Sequence, residues 1–204
     1  MLREKVPQRR DVAEQNDYRE YRGDLEIDFN RCCGYCDDSS ALVDPITFHI
    51  DHFAPKSKFP ELETSYDNLV YSCRFCNVSK SNKWIGNDPT VSNNGQRGFV
   101  DPCNQDYDNH LERSPEGRIV PTTDLGIYMF LNLKLYLRRH ECLWVARQLI
   151  GLREEVNRLI ELISERKEDG ETSLDEEYLL LLRSFRDLTN EYDRYLALVW
   201  NRNG

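Results

Sequence analysis

Two Cys-x-x-Cys pairs most tightly limit what this chain can fold into: Cys33-Gly34-Tyr35-Cys36 and Cys73-Arg74-Phe75-Cys76. Two residues between cysteines form a knuckle that aims both thiolates at one point. Two such knuckles complete a tetrahedral four-sulfur site for Zn2+. A closed site of this kind has no open coordination position, so the expected zinc is structural, a clamp between stretches distant in sequence. The competing reading is a set of unligated core thiols. Cys32 can substitute for its neighbour, although Cys33 has the better spacing. Cys103 and Cys142 read as small buried hydrophobes.

A metal is favoured over disulfides for two reasons. A chain of 204 residues can bury a real core and does not need staples. The opening Met1-Leu2-Arg3-Glu4-Lys5 is charged and lacks the apolar core of a signal peptide. No apolar run approaches the ~20 residues that span a bilayer. The expectation is a cytosolic protein without membrane segments, whose reducing surroundings keep thiols free for a metal.

The length fits one domain with an appendage, or two small domains. Three segments are expected: an N-terminal arm and helix at 1–30, a zinc-bearing core with its following loops at 31–122, and a helical hairpin at 123–204. Residues 1–11 are polar and basic and read as a mobile arm, with phosphate contact as the sharper option. Residues 12–30 carry Tyr18, Tyr21, Leu25 and Phe29 near helical spacing. The β-branched and aromatic run at 46–53 predicts a strand, the Pro-containing stretch 54–67 a loop, Leu69-Val70-Tyr71 a second strand, and 74–82 a short helix. Residues 86–98 read as loop, and His110–Val120 as a hairpin around Pro115-Glu116-Gly117.

The C-terminal region differs in kind. Val145, Leu149, Leu152, Val156, Leu159 and Ile163 alternate steps of four and three. So do Leu174, Tyr178, Leu181, Phe185, Leu188, Tyr192, Tyr195 and Val199. Both are coiled-coil-like seams. Ser173 with Glu176 makes a capping box for the second helix. The expected object is an antiparallel helical hairpin whose seam is internal, or else a surface for a partner or a second copy.

Between the cysteine pairs lies the chemistry. His52 is the candidate general base, because a neutral imidazole takes a proton near pH 7. Asp51 precedes it and points the other way on an extended chain, which suits a carboxylate ligand to Mg2+ or Mn2+, hard ions that prefer oxygen. Asn77, just after Cys76, offers an amide oxygen from the helix as a second ligand. Lys56, Arg74 and Lys80 can hold flanking phosphates; the bland alternative is solvated charge. His49 shares the Asp51 face and is either a further ligand or structural. His110, His140 and Trp84 read as structural.

The run Asp51-His52-Phe53-x-Pro55, then Asn68-Leu69, then Cys73-x-x-Cys76-Asn77-x-x-Lys80 resembles the HNH endonuclease family with its ββα-metal fold. The flanking cysteine pairs are similar to its zinc-stabilised branch. The final letter is Asn, so the chain is similar to an H-N-N variant. The resemblance covers Arg31 to Lys80. It implies an α+β fold with a zinc-clamped ββα-metal core, hydrolysis of DNA phosphodiesters, structural zinc and catalytic Mg2+ or Mn2+. It also implies that Asn68 pins the loop between the strands through backbone hydrogen bonds. A second likeness runs through Phe99-Val100-Asp101-Pro102-Cys103, His110, Gly117-x-Ile119 and Leu131-x-Leu133. It resembles small HNH nuclease subunits of bacterial anti-phage systems such as Septu, which implies an ATPase partner. No residue role is drawn from it.

Net charge is −9, which counts against an autonomous nucleic-acid binder but does not exclude a nuclease, since charge at a cleft can differ from the sum. Two functions are therefore weighed: a metal-dependent endonuclease, and a non-catalytic zinc-knuckle module binding nucleic acid or protein. The second has no need of Asp51, His52 and Asn77 together. A helical hairpin docking on a partner is compatible with the first, because a partner can supply the missing affinity for DNA.

Overall fold

Phe48-His49-Ile50-Asp51-His52 and Leu69-Val70-Tyr71-Ser72-Cys73 are rich in residues that suit a pleated, half-buried surface, and they set the centre of the first unit. In a computed structural model describing residues 1–168 and 175–200, they pair antiparallel as β1 and β2. The register sets Phe48 opposite Cys73, Asp51 opposite Val70 and His52 opposite Leu69. Ahead of them lies a helix α1 (Arg22–Asp28). Behind β2 the chain turns at once into α2 (Arg74–Lys80), giving the order strand, loop, strand, helix. The Cys73 thiol serves as the cap of α2, accepting from the Cys76 N–H at 3.5 Å.

A short helix α3 (Tyr107–His110) leads into a second hairpin, β3 (Leu111–Arg113) with β4 (Ile119–Pro121), followed by α4 (Asp124–Asn132). Leu25, Phe48, Tyr71, Phe99, Leu111 and Met129 form part of the core. Phe48 stacks on Tyr71 with centroids 4.9 Å apart. The chain divides into two compact units, the first ending at His140 and the second beginning at Glu141. Helices α5 (Arg138–Glu168) and α6 (Asp175–Trp200) make the C-terminal helical hairpin. The protein is thus α+β, with small antiparallel sheets and a helical C-terminal part. No described helix is long and apolar enough to cross a membrane.

Three expectations change. Residues 1–11 do not form a free arm. Leu2 and Arg3 are buried; the Arg3 guanidinium pairs with Asp108 at 3.1 Å, donates to the Pro102 carbonyl and covers the Tyr107 ring. Arg9 pairs with Asp101 at 2.9 Å and Arg10 with Asp28. Each of these guanidiniums meets a carboxylate of the fold rather than a phosphate. The helix expected over 12–30 is confined to a 3-10 turn at Tyr18–Tyr21, capped by Asp17, and to α1. Residues ahead of Asp17 are held by tertiary bonds, such as the Gln15 N–H to the Tyr21 hydroxyl at 2.8 Å.

In α5 the seam is rotated. Leu152 and Leu159 are 56 % and 40 % exposed, whereas Arg153 and Ile160 are half-buried and the Arg153 guanidinium lies over the Tyr192 ring. An amphipathic arginine stem substitutes for the leucine on the inner face. The α6 seam from Tyr178 to Val199 keeps its expected face, all half-buried. Ser173 and Leu174, and with them the capping box, lie outside the described residues.

Removing one member of a buried ion pair typically costs about 3–5 kcal/mol. Arg3→Ala is therefore expected to lower the urea midpoint by a corresponding amount; an unchanged midpoint would show that the N-terminal segment contributes nothing to stability.

Candidate active site and metal centre

The first knuckle turns tightly: the Cys33 N–H donates to the Asp38 carbonyl and the Asp37 N–H to the Cys33 carbonyl, both at 2.9 Å. Gly34 is required here, since a Cβ would stand 2.7 Å from the Phe29 ring. The Gly34 N–H donates to the Tyr71 carbonyl at 2.9 Å, binding the knuckle to β2. On β2 and α2 the second knuckle presents Cys73 and Cys76. The four sulfurs of Cys33, Cys36, Cys73 and Cys76 lie within 4.8 Å of one another, all buried. Cys36 and Cys73 are 3.8 Å apart. That is too far for a disulfide, yet matches the separation of about 3.8 Å expected for sulfurs bound tetrahedrally at ~2.3 Å from one zinc. Burial pushes the Cys36 and Cys76 thiols up, so four uncompensated thiolates are disfavoured and a divalent cation supplies the missing charge. The cluster fits structural zinc.

A second group, Cys36, Asp38 and His140, lies within the same span. Asp38 accepts from Arg139 at 2.6 Å and from His140 Nδ1 at 2.9 Å. Burial raises its carboxyl, but His140 and Arg139 outweigh burial and hold it below the usual range. It is the counter-ion of Arg139 and the hydrogen-bond partner of His140 beside the cysteines.

A cleft of about 280 Å3 is lined by Tyr18, Asp51, His52, Lys56 and Asn77 among others. The structure brings Asp51, His52 and Asn77 to this one cavity. Strand alternation puts Asp51 with His49 on the face covered by α2. The Tyr35 hydroxyl donates to Asp51 Oδ2 at 2.6 Å, and the Lys80 ammonium stands 2.9 Å from the same oxygen. Both donors converge on Oδ2, and Asp51 lines the cleft. Burial pushes the Asp51 carboxyl up, against the pull of Lys80 and Tyr35.

Lys80 does not serve as a contact for nucleic acid. Its side chain is 0 % exposed, and its ammonium also donates to the His52 carbonyl at 2.8 Å. It faces inward from α2 because a buried carboxylate needs a paired charge. Lys56 is exposed at the cleft rim, pairing with Glu63 at 2.7 Å and lying 4.6 Å from the Tyr18 ring centroid. Arg74 is exposed at the start of α2.

His52 is held from the loop. Its Nε2 is 2.9 Å from the Glu63 carbonyl. A carbonyl only accepts, so Nε2 carries the hydrogen and Nδ1 keeps its lone pair. Burial lowers the His52 imidazole below its usual range and so favours the neutral form, an effect partly offset by the Glu63 carbonyl. The Tyr18 ring meets the imidazole edge-on at 4.8 Å.

Asn68 is buried between the strands. Its Oδ1 accepts from the Ala54 N–H at 2.8 Å, and its Nδ2 donates to the carbonyls of Ala54 at 3.0 Å and Leu62 at 3.3 Å. Both ends of the loop are thereby fixed, and Leu62 precedes the residue whose carbonyl grips His52. The Asn77 Nδ2 donates to His49 Nδ1 at 3.0 Å, leaving Oδ1 for the cleft. Burial, with Arg74 and Arg22, lowers the His49 imidazole and keeps it an acceptor.

Sequence reasoning missed Tyr35 and the Glu63 carbonyl. Tyr35 sits inside a knuckle where it reads as a spacer, and a backbone carbonyl leaves no mark in side-chain identity. Tyr18 was assigned to a helix face; its position at the cleft depends on a turn.

Lys80→Met is expected to cost about 3–5 kcal/mol, because it strands the buried Asp51 carboxylate; urea denaturation measures this, and a neutral substitution would show that the pair is not a paired charge at all. Metal analysis of the purified chain should find one zinc, absent in Cys73→Ser. Zinc contributes on the order of 10 kcal/mol to folding in isolated zinc modules, comparable to the ~5–15 kcal/mol stability of whole domains. The Cys73→Ser chain should therefore lose cooperative melting; full stability without zinc would refute a structural metal.

No curated protein and no solved structure matches the chain. Residues 33–83 match the family model described as HNH endonuclease. This stretch, which is similar to that family, holds both cysteine pairs, Asp51, His52, Asn68 and Asn77.

Proposed function

We propose that this protein is a metal-dependent endonuclease that hydrolyses phosphodiester bonds of DNA. The observation that carries the reading is the state of His52: Nε2 is tied to the Glu63 carbonyl, and Nδ1 is free to accept a proton beside Asp51 and Asn77. In the reaction Nδ1 takes the proton of a water as its oxygen attacks phosphorus. The Glu63 carbonyl steadies the imidazolium that results, since an N–H donor that becomes charged bonds more strongly to the same acceptor. Asn68 keeps the loop carrying that carbonyl in place. Asp51 Oδ1 and Asn77 Oδ1 are the oxygens that would hold Mg2+ or Mn2+, hard ions matched to such donors. A metal bound there would neutralise the scissile phosphate and stabilise the leaving 3′-oxygen. Tyr35 and Lys80 fix Asp51 from behind, and His49 fixes the Asn77 amide, so the two oxygens need no reordering.

The net charge of −9 supports reliance on a partner for affinity to DNA. The helical hairpin is the surface we assign to it, an ATPase in an anti-phage assembly being the partner that the second likeness implies.

The test is cleavage of plasmid DNA by purified protein with Mg2+ or Mn2+, beside His52→Ala. Loss of a general base lowers the rate by about 10²–10⁴-fold, with zinc content unchanged. Equal cleavage by His52→Ala would remove it as the base. Wild-type protein that cleaves under no metal condition, while still binding DNA, would favour the non-catalytic zinc-knuckle module.

A further inference from the structure

Beside the cleft that holds His52 lies a second one of about 450 Å3. The two share Tyr18, Ile50 and Asn77 as a common wall, so they meet at the candidate metal ligand on α2. Beyond that wall the second cleft is bounded by Arg19, Arg22 and Phe48, with His49 at its floor, and no Asp or Glu lines it. In a chain of net charge −9, an acid-free cleft with two guanidiniums is a local reversal of sign.

The two arginines are held differently. Arg22 donates to the Phe48 carbonyl at 2.9 Å, which fixes its stem across the start of β1. Arg19 is 75 % exposed, with Asp17 at a loose 3.4 Å. Tyr18 stands at the junction: Lys56 lies 4.6 Å from its ring centroid on the His52 side, and the Arg19 guanidinium 5.5 Å on the other. The wall between the charged ends is therefore aromatic and apolar. That alternation of cation, flat ring and cation suits a strand whose phosphates alternate with sugars and bases.

We infer that the cut DNA strand runs through both clefts, with its scissile phosphate at His52 and Asn77, the adjoining nucleotide against Tyr18 and Ile50, and the next phosphate between Arg19 and Arg22. This rests on the nuclease reading and adds the direction of the strand across β1. Arg19 and Arg22 then supply locally what the acidic chain lacks overall, and contact with them seats the scissile phosphate beside the base.

The test uses the full chain carrying His52→Ala, so that DNA is bound but not cut, and a fluorescein-labelled oligonucleotide read by anisotropy across a range of salt. Arg19→Gln is expected to weaken binding about tenfold and to lower the salt slope by about one, as for the loss of one phosphate contact. Arg22→Lys keeps the charge but not the forked donor; a smaller loss with an unchanged slope is expected. Arg186→Gln, which removes a similarly exposed guanidinium on α6, should change neither. Binding and slope unaltered by Arg19→Gln would overturn the inference and leave the nuclease reading standing. So would an equal loss from Arg186→Gln, which would mark a general charge effect. A His52→Ala chain that binds neither single nor double strands would overturn the inference, which makes Arg19 and Arg22 a source of DNA affinity in this chain, and would leave the nuclease reading to the plasmid test.

Discussion

The four-sulfur cluster is the constraint from which the candidate site hangs. Its two knuckles are far apart in sequence, and each delivers one catalytic candidate directly. Tyr35 is inside the first knuckle, and its hydroxyl holds Asp51. Cys73 caps α2, so that helix starts on the cluster and Asn77 follows the ligand Cys76 by one residue. A zinc held by these four sulfurs would pass its rigidity to the Asp51 and Asn77 oxygens through one side chain and one helical turn. A site placed this way tolerates a modest sheet: β1 and β2 pair over five residues only, too few to be stable alone.

Charge is distributed in the same spirit. The chain is acidic overall, yet Arg3, Arg9 and Arg10 are engaged by Asp108, Asp101 and Asp28 and serve packing. The two clefts are lined instead by Lys56 and Arg19, both exposed, and by the half-buried Arg22. The buried ammonium of Lys80 belongs to a different class. It neutralises Asp51 on the inner side, where burial alone would drive the carboxyl toward its protonated form. A carboxylate at the cleft is thus paired with a cation from the core.

Much of this was legible in local spacing. Two x₂-spaced cysteine pairs, period-two strands and the turn signals between them depend on neighbours in sequence, and the strand-loop-strand-helix order follows from them. What could not be read depends on burial across the chain. Nothing in Asn77-x-x-Lys80 distinguishes a lysine that faces solvent from one that turns inward to a carboxylate on β1. The basic composition of residues 1–11 looks like an arm because the carboxylates that bind it come from Asp28 to Asp108. In α5 the spacing located the helix and its half-buried Val145, Leu149, Val156 and Ile163, but put Leu152 and Leu159 where Arg153 and Ile160 turn inward, since an arginine stem can cover apolar surface as a leucine does.

The same distinction separates Asn68 from the residues around it. Its position was visible in the motif, but its action passes through atoms that sequence does not specify. Its amide closes the loop on the Ala54 and Leu62 backbone; the next residue, Glu63, turns its carbonyl to His52 Nε2; and that bond decides which imidazole nitrogen keeps its lone pair. The tautomer of His52 is therefore set by the closure of a loop between strands rather than by the strand that carries the histidine. A looser loop would leave Asp51 and Asn77 where the cysteine cluster puts them, yet free the imidazole to present either nitrogen. The candidate metal ligands and the candidate base thus rest on separate supports, one built on sulfur and one on a single buried amide.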